Sequence, residues 1–151
     1  MATTVTSATL AIEIKEQINL NGTAYDQTKQ HSITGIGNFM KKILPLGASA
    51  TQTVNTFTTT PRNNEFDIDD LKYIRVSNLD DTDAIIVNFT DTGTATAGIE
   101  VLAGKTVILF DTDISGNATG GAVTATAPLD TLAIHNPNAS VIDVEVVIAT
   151  A

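Results

Sequence analysis

The stretch Leu10-Ala-Ile-Glu-Ile-Lys-Glu-Gln-Ile-Asn-Leu20, followed at once by Asn21-Gly22, decides the fold class. Leu10, Ile12, Ile14, Ile18 and Leu20 share one parity, and Thr9, Ala11, Glu13, Lys15, Gln17 and Asn19 the other; only Glu16 breaks the pattern. A period of two means a strand with one apolar and one polar face. At roughly 3.3 Å per residue the run reaches about 36 Å, twice the commonest strand length. Asn21-Gly22 supplies two residues that tolerate positive φ, as a type I′ turn demands, so a hairpin is expected. The return arm, residues 25–36, is far more polar. A ribbon with one weak arm buries little by itself, so its stripe is expected to lean on something else.

Outward from the ribbon, Gly35 and Gly37 bracket Ile36 and suggest a bulge or sharp bend. Phe39-Met40-Lys41-Lys42-Ile43-Leu44 follows, and Pro45 discourages continuation. Residues 46–64 read mostly as surface loop with one strand near 54–58. Strands are expected at 71–77, 84–90, 99–102, 106–110, 129–136 and 141–150, separated by turn-rich stretches. The low-complexity segments 90–98 and 115–127 read as loops. In the last strand Ile142, Val144, Val146 and Ile148 make a buried face, while Val141, Asp143, Glu145 and Val147 make a wet one. No stretch of helical length keeps a 3.6-residue period.

The expected fold is therefore all-β: an antiparallel two-sheet β-sandwich with a long N-terminal β-ribbon, a jelly-roll order being one compatible arrangement. A chain of 151 residues suits a single domain. Residues 1–45 form its arm and first strands, and 46–151 its body.

Composition agrees and narrows the chemistry. Threonine is about one residue in six, and β-branched residues favour pleated surfaces. Eight Lys+Arg against seventeen Asp+Glu give a net charge of −9, which repels phosphate backbones and anionic lipid heads. No nucleic-acid or membrane partner is expected, and no apolar run approaches the roughly 20 residues of a spanning helix. The charge is uneven: residues 1–42 carry Lys15, Lys29, Lys41 and Lys42 against Glu13, Glu16 and Asp26, leaving −10 on the remainder. Zero cysteines remove disulfides, thiolate nucleophiles and Cys-based metal sites. The opening residues lack the cationic start and apolar run of a signal peptide, so cytoplasmic synthesis is expected.

Motifs with chemistry are few. Asp111, Asp113, Ser115 and Asn117, with Gly116, resemble the start of a calcium loop. The closing carboxylate is absent because position twelve is Ala122, and helices do not flank the segment. An acidic β-turn after Phe110 is the plainer reading. Asp67, Asp69 and Asp70, and then Asp80, Asp81 and Asp83, form a second acidic concentration that converging loops would offer to a hard cation. Aspartate is equally an ordinary turn former. His31 and His135 are the only imidazoles, too few for a His-rich metal site, and each suits a strand face better than a catalytic base. No nucleophile elbow, zincin helix or phosphate loop is present in the sequence.

Three segments carry a family likeness: Leu71-Lys-Tyr-Ile-Arg-Val-Ser-Asn-Leu79, Leu102-Ala-Gly-Lys-Thr-Val-Ile-Leu-Phe110, and Leu132-Ala-Ile-His-Asn-Pro-Asn138 with Val144-Glu-Val-Val-Ile148. Together with the acidic, cysteine-free, Thr-rich composition, they resemble in style the small β-sandwich structural proteins of tailed bacteriophage virions. The resemblance covers about half the chain, without a diagnostic motif. It implies a virion component, a decoration or cement protein of the head or a tail accessory protein. Its partners would be other copies of itself and a major capsid or tail protein. No enzyme activity and no cofactor are implied. The ribbon supplies a physical reason, since Leu10, Ile12, Ile14, Ile18 and Leu20 can serve as an interface by strand addition. A carbohydrate- or calcium-binding sandwich using the Asp-rich loops is the alternative of another class. A hydrolase with His135 as its base is a third.

Overall fold

The computed structural model describes residues 6–62, 65–92, 96–110, 115–116 and 127–151. Its strands are β1 (Ala8–Leu20), β2 (Thr23–Ile36), β3 (Asn38–Leu46), β4 (Thr51–Thr58), β5 (Phe66–Asp67), β6 (Leu71–Asn78), β7 (Ile85–Asp91), β8 (Thr96–Val101), β9 (Thr106–Phe110), β10 (Ser115–Gly116), β11 (Ala127–His135) and β12 (Ile142–Thr150). No helix occurs among the described residues, and the protein is all-β. β1 and β2 form a two-stranded ribbon. A four-stranded sheet runs β3-β12-β6-β9, and a larger sheet runs β5-β4-β11-β7-β8 with β10 beside β11. Pairing is antiparallel except for the two-residue contact of β4 with β5.

The core follows from strand parity. Val144, Val146 and Ile148 of β12, with Ile74 and Val76 of β6, meet Phe57, Ile85, Val87, Leu132 and Ile134 from the larger sheet in one buried cluster. The connections between strands are closed by buried amide side chains. Asn136 Nδ2 donates to the carbonyls of Leu46, Gly47 and Ser140 at 3.3, 3.0 and 2.7 Å. Asn78 Nδ2 donates to those of Asp83 and Val101 at 2.8 and 3.1 Å. The buried bonds among these, to the Leu46 and Val101 carbonyls, give those carbonyls a partner away from water, and the others tie more exposed loop carbonyls to the same two side chains.

Several local expectations need correction. Pro45 does not end its strand, because β3 is an edge strand paired only with β12, where a missing N–H costs no ladder bond. The strand expected at 54–58 begins at Thr51, since its polar first half pairs with Ala133, Ile134 and His135 of β11. Part of the 90–98 loop is strand, with Thr96, Ala97 and Gly98 lying opposite Thr90, Phe89 and Asn88. Within 115–127, Ser115 and Gly116 pair with Pro128 and Ala127. The outer face of β12 is not uniformly wet: Val147 and Ala149 are buried, because the ribbon's root lies over them.

Candidate interaction surface

The turn fixes the ribbon. Asn21 and Gly22 have φ of +51° and +82°, the left-handed pair a type I′ turn requires, and the Gly22 amide donates to Asn19 Oδ1 at 3.1 Å. Leu20 therefore pairs with Thr23, Ile18 with Tyr25, Ile14 with Lys29, Ile12 with His31 and Leu10 with Ile33. Near the root the register slips, so that Ala8 faces Ile36, and Gly35 takes up the extra residue at φ +82°. The Gly37 amide then donates to the Thr150 carbonyl at 3.0 Å, tying the root to the end of β12.

One continuous stripe has two fates. At the root, Ile33 and Ile36 are buried with Tyr73, Val147 and Ala149, and Leu10, Ile12 and Phe110 pack around them. The His31 ring meets Phe110 edge-on with centroids 5.0 Å apart. Ile14 is half-buried. At the tip, Ile18, Leu20 and Tyr25 are 56, 57 and 59% exposed. The ribbon thus packs on its own sheet over part of its length and then leaves it.

That sheet face is ordered by pairing. Phe39 lies opposite Ala149, Lys41 opposite Val147 and Ile43 opposite Glu145, so these β3 residues share the side covered by the root. Phe39 and Ile43 are nevertheless 55 and 57% exposed. Between them Lys41 Nζ binds Glu145 Oε2 at 2.9 Å, and Arg75 binds the other carboxylate oxygen. The Lys41 hydrogen bond, helped by the Arg75 charge, holds the Glu145 carboxyl below its ordinary range. Burial raises the Tyr73 phenol, and the nearby Arg75 charge offsets this in part. No family model, curated protein or solved structure matches the chain. The functional reading rests on this geometry.

The remaining candidates are scattered. Asp111, Asp113 and Asn117 lie outside the described residues, and Ser115 begins β10. Among the described residues, no three His, Cys, Asp or Glu side chains come together to hold a metal ion. Asp67 Oδ1 accepts from the Asp69 amide at 3.0 Å. Asp80 Oδ1 accepts from the Asp83 and Thr82 amides at 2.7 and 2.8 Å, which hold its carboxyl below the ordinary range. Asp83 Oδ2 accepts from Ser140 Oγ at 2.6 Å. His135 Nδ1 lies 2.9 Å from Thr51 Oγ1 across the β11–β4 pair. No described helix is long and apolar enough to cross a membrane.

The sequence reading put His31 on a strand face and Phe39 and Ile43 in a strand segment, but named neither these nor Tyr25 as part of an interaction surface. Counting outward from Asn21-Gly22 places Tyr25 and His31 on the stripe face opposite Ile18 and Ile12. The exposure of Phe39 and Ile43 had no signal, because it depends on where the ribbon crosses.

Proposed function

We propose that the chain is a non-enzymatic assembly protein whose ribbon tip docks on a neighbouring copy. In this reading the two larger sheets stack as a β-sandwich body, and the resemblance in style to phage virion proteins supports a head decoration or cement protein, with a tail accessory protein as the alternative. The observation that carries it is the split stripe. Its root is anchored on the body, while Ile18, Leu20 and Tyr25 lie exposed toward the turn of the same hairpin. Anchoring the root pre-orders the tip, which lowers the cost of ordering on binding.

The magnitude favours many weak contacts over one strong one. Burying three large side chains that are already partly covered, plus an equal apolar area on the partner, gains about 5–10 kcal/mol. Association itself costs about 4–15 kcal/mol. A single contact is therefore weak, and stable assembly comes from repetition across an array.

Sedimentation velocity of the full chain at up to about 1 mM, where a contact worth about 4 kcal/mol is populated, tests the reading. The expected result is a mass that rises with concentration. The double variant Ile18→Thr/Tyr25→Thr, which keeps β-branched residues at this directly opposed pair, should stay at the protomer mass with an unchanged far-ultraviolet spectrum. A wild-type chain that remains a protomer throughout overturns the proposal, as does a tip variant that associates equally well.

A further inference from the structure

We propose that the tip of one copy lodges on the β3 side of the four-stranded sheet in the next, against Phe39 and Ile43, so that copies add head to tail. This rests on the assembly reading above and names the receiving surface.

The first argument is chemical continuity. The stripe's root already packs on this sheet face, against Tyr73, Val147 and Ala149. Phe39 and Ile43 belong to the same face through their pairing with Ala149 and Glu145, and remain more than half exposed. The unfilled part of the face suits the unfilled part of the same stripe.

Geometry makes the contact intermolecular. The ribbon's root is tied to the end of β12, and His31 lies over Phe110 of β9, the edge strand opposite β3. The ribbon therefore crosses the sheet from the β12 side toward the β9 edge. From Ile33 to Tyr25 a strand advances about 26 Å, whereas four strands span about 14 Å between their outer axes. The tip thus overhangs the β9 edge, while Phe39 and Ile43 lie at the β3 edge. A tip and a socket on opposite edges of one body make a heterologous contact, which closes into a ring or propagates.

Charge is compatible. On the stripe face the tip presents Lys29 beside Ile14 and Glu16 beside Gln27, one charge of each sign. The socket presents Lys41 and Arg75, both bound to the Glu145 carboxylate between them. Neither surface adds to the acidic repulsion between bodies.

The chain has no cysteine, so introduced thiols report this contact alone. The double variant Ile18→Cys/Ile43→Cys, oxidised and run on a non-reducing denaturing gel, should form a ladder of covalent multimers. Ile18→Cys paired with Thr59→Cys, an exposed position away from the socket, should cross-link at least about tenfold less. As a second readout, Ile18→Asp and Phe39→Asp chains should each sediment as protomers, while their mixture forms heterodimers through the one intact tip and socket. If wild type associates but Ile18→Cys alone cross-links as fast as the double variant, the tip meets another tip and the socket assignment is wrong. A double variant that stays monomeric while wild type associates also overturns it, leaving the assembly reading standing. A wild-type protomer at every concentration removes both.

Discussion

Replacing Ile33 with alanine should loosen the ribbon without loosening the body. Ile33 is 5% exposed and sits in the outer cluster with Ile36, Tyr73, Val147 and Ala149, apart from the main core. Trimming a buried isoleucine to alanine costs about 2–5 kcal/mol, combining lost transfer energy with the cavity left behind. A cluster on an outer sheet face can settle around the gap, so the lower figure of about 2 kcal/mol applies. Because the ribbon opens as a unit of its own, that loss should appear as local instability. Native-state hydrogen exchange should then show ribbon amides about thirtyfold less protected, since about 1.4 kcal/mol is a factor of ten. Amides of Leu132 and Ile134 in β11 should change by less than about 0.5 kcal/mol. Ile148→Ala, within the main core, is the matched comparison and should lower protection across both larger sheets. Equal losses in ribbon and body from Ile33→Ala would refute the independence of the ribbon. A ribbon loss under about 0.5 kcal/mol would refute its anchoring.

Three further outcomes are expected. Gly22→Ala meets no atom within 4 Å, so its cost is the left-handed backbone alone, about 1 kcal/mol, read as roughly fivefold faster exchange at the ribbon tip with body stability unchanged. Asn136→Ala takes the donor from the buried Leu46 carbonyl and from the more exposed Gly47 and Ser140 carbonyls, and should lower the unfolding free energy by about 1–3 kcal/mol in urea titration. On the acid side Asp80 and Glu145 have folded-state pKa values below their ordinary 3.8 and 4.5, so their contribution is present above those values and lost as pH falls through the depressed ones. Glu145→Gln should flatten that acid limb. Tyr73 is raised above its ordinary 10.0, so the unfolded chain releases its proton first and stability falls as pH climbs past 10.0. Tyr73→Phe should remove that alkaline limb in pH-dependent urea titrations.

The ribbon was legible because its two signals are local and agree. The alternation from Leu10 to Leu20 sets the faces, and Asn21-Gly22 sets the register. The 106–110 strand was found at its true bounds for the same reason, being apolar and flanked by a glycine turn. β4 was cut short because Thr51, Gln52 and Thr53 carry no apolar alternation and are held by β11 from far along the chain. The wet face assigned to Val147 failed for a related cause, since no local pattern discloses that another element covers it. Of the stripe, the sequence could name the residues but not divide them. Leu10 and Ile12 rest on the body while Ile18 and Leu20 do not, and that division is a property of the crossing.

The central strand of the four-stranded sheet has a kinetic consequence. β12 lies between β3 and β6 yet follows both in the chain, and it supplies Val147 and Ala149 to the surface beneath the ribbon. A hairpin on a two-residue turn closes in about 1–10 μs. Translation from the ribbon to β12, at about 5–20 residues per second, takes roughly 5–20 s. A nascent chain therefore samples its hairpin repeatedly with no resting place, and the ribbon becomes lasting structure only when the last strand arrives beneath it.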